Sequence, residues 1–337
     1  SGEHSLTPLE VELRRVPHGS PLVGQVELDL REHRRGGGRC AGIDAAQPWR
    51  RGYGDNITYT DWQRNNYWRA ILSVTGSGKV IGFEGDHLSI AQMALLDEFL
   101  APSAKKDIAP TTMRLRMHKS AAEIEKLAHI CAIGSMTFDK IPEVIHEGMP
   151  LEDVFRQFRL TAIGMGADDA PYVVGAADQG GYADVISPPS RRPLQHGDVL
   201  MLDTGCTWDG YFCDFDRNWA IGHAQDDTKR AYDVLWRATQ AGIETAKPGN
   251  TCRDLFLAMS AVIAEMDSSG GDIGRLGHGL GMQLTEQPSH AAFDETELKE
   301  NMVLTIEPSL RYGDGHMMVH EENIVVSASG ARLLSSR

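Results

Sequence analysis

The 337-residue chain predicts an α+β fold made of two related α/β halves, preceded by a smaller α/β unit. Three observations carry this prediction. The polar, Gly-rich texture of residues 1–112 gives way, from Arg114, to long amphipathic helices alternating with strand hairpins. A motif then recurs 101 residues apart, Gly148–Phe155 (GMPLEDVF) against Gly249–Phe256 (GNTCRDLF). Each copy reads as a helix ending at Gly and a second opening with Asp in its early turn, with a hairpin following. Two repeats of helix, helix and hairpin make a pseudo-twofold domain over 113–337.

Within 1–112, the sequence WRAILSV-TGSG-KVIGFE (68–84) reads as two apolar strands around a Gly-containing turn. A helix is predicted from Ser89, its N-cap, to Leu100, with Pro102 ending it. The stretch 31–64 is polar and Gly-rich and reads as loop. Ser120 and Glu123 form a capping box opening a helix to about Phe138. Further helices are predicted after Pro150, from Asp226 to Ala246, and from Thr251 to Met266.

The hairpins hold the candidate site. In the first, a four-residue loop at Thr207–Gly210 would pair Cys206 with Tyr211 and Asp203 with Asp214. Asp216 would share that face, while Cys206 and Cys213 would point to the core. In the second, Gly313–Gly315 as the loop pairs Tyr312 with His316 and sets Glu307 across from Glu321. Facing carboxylates in apolar strands repel one another unless a cation lies between them. His278, in GHGLG, adds an imidazole where glycines let the backbone approach closely. Four carboxylates and one imidazole suit divalent Mn, Co, Fe or Zn.

The net charge of −14 excludes the basic footprint of a nucleic-acid binder, and no run reaches the ~20 apolar residues of a membrane span. Five widely spaced cysteines without a CxxC pair predict no disulfide framework and a cytoplasmic setting. The start at Ser1-Gly2 without Met reads as processed or tagged.

From Arg114 to Val326 these segments resemble the pita-bread metallohydrolases: aminopeptidase P, prolidase, methionine aminopeptidase and creatinase. The resemblance rests on the Asp203–Asp214 spacing, GHGLG, the IEP segment and the HEEN segment. It implies a pita-bread (creatinase/aminopeptidase) catalytic domain over 113–337 and a creatinase-like N-terminal domain over 1–112. It implies two divalent metal ions, one chelated by Asp203, the other held by His278 and Glu307, with Asp214 and Glu321 bridging. A metal-bridged hydroxide would attack an amide carbonyl of a small peptide, with Glu307 carrying the proton. The implied activity is Xaa-Pro aminopeptidase or dipeptidase, in a homodimer.

The chain departs from that pattern at three positions. Ile186 and Thr285 stand where peptidase relatives carry auxiliary histidines, and Val319 where prolidase-like enzymes carry an Arg. The departures favour, as the alternative, a non-peptidase resembling ectoine hydrolase, creatinase or dimethylsulfoniopropionate lyase, acting on a small metabolite. Arg311, His290 and Asp216 are the candidate substrate-binding residues. Arg311 stands where relatives often have Tyr, and Asp216, where they have Thr, would position Arg217 or a substrate ammonium group.

Overall fold

The computed structural model describes residues 40–41, 56–57, 65–186, 189–267 and 274–336. The backbone packs into two compact units divided between Thr112 and Met113. In the first, β1 (Cys40–Ala41) and β2 (Asn56–Ile57) form a short parallel pair. The rest of the loop-like stretch 31–64 lies outside the described residues.

The expected hairpin at 68–84 is half helix. Asn66–Thr75 is α1, and only Val80–Phe83 is a strand, β3. The reason is spacing: Trp68, Ile71 and Leu72 fall at i, i+3 and i+4, one face of a helix, so a helix packs them where a strand would split them across two faces. Gly76, at φ 71°, ends α1, its N–H bonding to Leu72 O at 2.8 Å. The helix α2 (Ile90–Leu100) opens on a complete Ser89/Gln92 capping box and connects β3 to the parallel β4 (Ala104–Asp107). Trp68, Ile71, Ile81, Leu96 and Leu100 are the core of this unit.

The division between the units falls within α3 (Ala109–Met117). Beyond it, α4 (Ala121–Val144) opens on the predicted Ser120/Glu123 box and runs past Phe138, with Pro142 in its last turn. Its stripe of Leu127, Ile130, Cys131, Gly134, Phe138 and Ile141 is buried. The chain continues through α5 (Leu151–Gly164), β5 (Asp169–Gln179), β6 (Asp198–Trp208), β7 (Tyr211–Phe212) and β8 (Phe215–Ala220). The strand β6 pairs antiparallel with β5 on one side and with β7 and β8 on the other. The second half brings α6 (Asp226–Thr245) and α7 (Cys252–Ile263). Its five-stranded sheet contains β9 (His278–Gly279), β10 (Glu286–Ser289), β11 (Val303–Ile306), β14 (Glu322–Ser327) and β15 (Gly330–Leu333), in the order β10-β9-β11-β14-β15. Between β11 and β14, β12 (Ser309–Tyr312) and β13 (His316–Val319) form a hairpin. No helix among the described residues is long and apolar enough to cross a membrane.

The internal repeat is visible in the hydrogen bonds. Gly148 and Gly249 both have positive φ, 86° and 93°. Their amides donate to Leu194 O and Leu298 O, and the amides of Leu194 and Leu298 return bonds to Met149 O and Asn250 O. The same loop thus ties each helix pair to the segment that leads into a carboxylate-bearing strand.

Glycine also sets the distance between helix and strand in each half. A Cβ on Gly134 would meet the Phe215 ring at 3.0 Å and Cys213 Sγ at 3.2 Å, and one on Gly242 would meet Ile306 Cγ2 at 2.7 Å. Those neighbours flank Asp214 and Glu307, so the two helices press directly on the site strands. Replacing Gly134 by Val forces α4 away from Cys213 and Phe215; the expected cost is about 1–3 kcal/mol. Urea unfolding of the variant should show a lower midpoint, and an unchanged midpoint refutes the close-packing argument.

Candidate metal centre

Register decides which side chains meet. Trp208 pairs with Tyr211 around a two-residue turn, Asp209-Gly210, whose φ values of 47° and 81° are the positive pair a type I′ turn requires. The expected four-residue loop is therefore incorrect by two positions. After a break at Cys213-Asp214 the same register resumes with Thr204↔Phe215 and Asp203↔Asp216, so Asp203 faces Asp216 rather than Asp214. Because strand faces have period two, a shift of two preserves the face: Asp203, Asp214 and Asp216 share one side. Cys206 and Cys213 point the other way into the core, free and buried, as expected.

In the second hairpin the expected register is the observed one. Tyr312↔His316 through Ser309↔Val319 and Ile306↔Glu322 through Val303↔Val325 obey one continuous pairing, which sets Glu307 opposite Glu321. The imidazole arrives from β9. The His278 amide donates to Thr305 Oγ1 at 3.1 Å, and ring Nδ1 donates to Gly279 O at 2.8 Å. That fixes the tautomer and leaves the Nε2 lone pair facing Asp214 Oδ2 at 3.4 Å and Glu307 Oε2 at 4.0 Å.

This arrangement is not an ion pair. Burial lowers the His278 pKa to about 4, so the ring is neutral and presents a lone pair to carboxylates. Donor atoms of Asp214, His278 and Glu321 all lie within 4.8 Å of one another, and all three residues are buried. Asp203 Oδ1 and Glu321 Oε1 are buried with no hydrogen-bond partner among the described residues. Burial raises Asp203 to about 7; burial and then the Asp203 charge raise Glu307 to about 7. Asp214 and Glu321 are pushed well up by burial and by neighbouring carboxylates. Orphaned carboxylate oxygens and a neutral imidazole with its lone pair turned inward are the donor set of a divalent cation, and these residues fit one.

Several residues that sequence reading did not single out hold this arrangement. The Asn323 side chain grips the backbone of Asp214 on both sides: Asp214 N–H donates to Oδ1 at 3.0 Å, and Nδ2 donates to Asp214 O. A lone Asn in the apolar run NIVV was the available signal. Tyr172 lies near Asp203, whose charge, after burial, pushes the phenol's pKa up. A buried Lys119–Glu286 ion pair of 2.8 Å ties β10 down, and Gln283 N–H also donates to Glu286. Arg275 is the nearby positive charge, lowering the pKa of both Asp214 and Glu307.

A cleft of about 690 Å³ opens beside Glu307, lined also by Arg275, Arg311, Ser289, Phe293 and Val185. The Glu307 side chain is 31% exposed. Of the three candidate substrate residues, only Arg311 lines this cleft. His290 lies fully buried, its Nε2 bonded to Thr305 O at 3.0 Å, because its ring packs under the GHGLG loop. Asp216 is also fully buried. Its carboxylate does not position Arg217, whose guanidinium pairs with Glu322 at 3.1 Å. Thr285 accepts from Arg275 Nη2 at 3.5 Å, Ile186 is exposed and Val319 is buried.

Comparison with known proteins adds an independent finding. Metallopeptidase family M24 matches residues 125–328. The chain is 26% identical to a creatinase of Bacillus sp. (strain B-0618) over 294 residues, covering 82% of this chain and 71% of the relative. It is 26% identical to the Xaa-Pro dipeptidase of Pyrococcus furiosus over 265 residues, covering 79% and 76%. The crystal structure of an X-Pro aminopeptidase from Thermotoga maritima superposes with a TM-score of 0.78 at 22% identity, covering 89% and 85%, and shares the fold.

The titrating carboxylates make stability depend on pH with a definite sign. Folding raises Asp203 and Glu307 from ordinary carboxylate values near 4 to about 7, so the metal-free folded chain holds more protons than the unfolded chain between those limits. Their contribution is fully present below about pH 4 and is lost as pH rises through about 7. The melting temperature of metal-free protein should therefore fall between about pH 5 and pH 8, and saturating Mn²⁺ should restore it most at the upper end. A metal-free melting temperature that rises across this window contradicts the assignment.

Proposed function

The chain belongs to metallopeptidase family M24, a family of metal-dependent hydrolases, and from that premise we propose that it is a dinuclear metallohydrolase cleaving Xaa-Pro peptides. Asp203, Asp214, His278, Glu307 and Glu321 hold two divalent ions in this reading, Mn, Co, Fe or Zn. The observation that carries it is the neutral His278 lone pair, directed at the Asp214 and Glu307 carboxylates, beside Asp203 and Glu321 oxygens that have no hydrogen-bond partner among the described residues. Metals bound there supply Lewis-acid activation of the scissile carbonyl and of water.

The chain's own residues do the rest. Glu307 lines the cleft, where it can take a proton from the attacking water and return it to the leaving nitrogen. Arg311, with no ion pair among the described residues, and Arg275 line the same cleft and suit the free carboxylate of a short peptide. Phe293 and Val185 offer apolar contact for a proline ring. Residues 113–337 form the catalytic domain and 1–112 a creatinase-like N-terminal domain, a division supported by the boundary at Thr112. The four free buried cysteines support a reducing, cytoplasmic setting, and a homodimer completes the reading.

A second reading has its own support. Thr285, Ile186 and Val319 remove the auxiliary groups of peptidase relatives, and a creatinase is among the similar proteins. Under it the substrate is a small metabolite such as creatine, ectoine or dimethylsulfoniopropionate.

An activity panel separates the two. Metal-loaded enzyme should hydrolyse Xaa-Pro dipeptides, with Glu307→Gln lowering kcat by about 10²–10⁴-fold. Turnover of a metabolite with none of any Xaa-Pro peptide selects the second reading. Arg311→Ala should raise KM about tenfold for the free acid, the loss of one charge-assisted contact, and leave the peptide amide unchanged. Equal effects on acid and amide remove Arg311 from carboxylate binding.

A further inference from the structure

Asp216 lies outside the five-residue set, yet it occupies the position directly across the ladder from Asp203, fully buried. Its Oδ1 accepts from Asn218 Nδ2 at 3.2 Å. Among the described residues its Oδ2 has no donor, and neither has Asp203 Oδ1 on the opposing strand. Directly opposed residues hold their Cβ atoms ~4.5–5.5 Å apart on one face. Two carboxylates thus face one another across the ladder, each with a buried oxygen that has no partner among the described residues. A shared proton or a cation would answer both.

The neighbouring guanidinium does not. Arg217 alternates to the opposite face, where it packs 5.0 Å from the Phe215 ring centroid and pairs with Glu322. Its one bond to Asp216 goes to the main-chain oxygen. Asn218 satisfies a single bond to Asp216. Asp214 lies on this same face, two residues before Asp216 on the same strand.

We propose that Asp216 is a metal-ligating carboxylate, so that the centre in this chain has six protein donor residues and its Asp203 side presents carboxylate oxygen alone. This rests on the reading that the site holds two divalent ions. An all-oxygen set favours hard ions such as Mn²⁺, whereas the His278 side also suits Zn²⁺ or Co²⁺. The two positions are then chemically unequal, and Asp216 is one source of the difference.

The test is Mn²⁺ binding to the full chain, purified metal-free, followed by titration calorimetry and by electron paramagnetic resonance. Wild type should bind two Mn²⁺ per chain. Asp216→Asn, nearly isosteric, should bind one of them at least tenfold more weakly and lose the spin coupling of the pair at limiting metal. Asp216→Thr should do the same. Metal-free melting at about pH 8 monitors folding without using metal or activity: Asp216→Asn should melt cooperatively, close to wild type. It should then gain less on adding Mn²⁺. If the Asn variant binds both ions with wild-type affinity, the facing oxygens share a proton and the proposal is overturned while the dinuclear reading stands. If wild type itself binds no Mn²⁺, Zn²⁺ or Co²⁺, both are overturned together.

Discussion

The structure depends on like charge concentrated where water has limited access. Asp214 and Glu321 converge with a neutral imidazole, Glu307 lies 4.0 Å from that ring, and Asp203 Oδ1 and Glu321 Oε1 have no donor among the described residues. Burying an unpaired carboxylate is among the most unfavourable things a fold can do. An isolated pair would relax by protonation. Here the imidazole lone pair is fixed by the Nδ1 bond to Gly279 O, so protonation of the carboxyls alone leaves a donor set still aimed inward. In the proposed reading, a divalent cation would turn these costs into bonds.

Holding such a site together requires rigid support from opposite ends of the chain. Asn323, in the last third of the sequence, clamps Asp214 from the first hairpin by bonding to both of its backbone groups. Thr305 holds His278 from a neighbouring strand. Behind the strands, Gly134 and Gly242 let α4 and α6 come within contact of the residues flanking Asp214 and Glu307. The two halves solve the problem in the same way, which is why the repeat extends to matching loop hydrogen bonds at Gly148 and Gly249. Each half contributes one carboxylate hairpin; neither has a complete donor set.

Much of this could be read before any coordinates. The capping box at Ser120 and the N-cap at Ser89 announce their helices through local chemistry, and the structure shows both, with Gln92 completing a box at Ser89. The second hairpin was readable because Gly313 and Gly315 confine the turn. The first was not, because Asp209-Gly210 is compatible with a two-residue or a four-residue loop, and strand pairing beyond the turn selects between them. The segment 68–84 reads as a hairpin on composition, yet the helical spacing of Trp68, Ile71 and Leu72 prevails once a core exists to receive them.

By itself the sequence determined which carboxylates share a face, which residues are the proposed donors, and the two-halved architecture. These follow from period-two alternation, from local capping and from a repeated motif, all of which act over short distances. Tertiary structure alone decided the partners. It set Asp203 against Asp216, gave Arg217 to Glu322, buried His290, and brought Arg275 to the cleft beside Glu307. Those outcomes depend on ladder register and on contacts between residues tens to a hundred positions apart, and no local pattern encodes them.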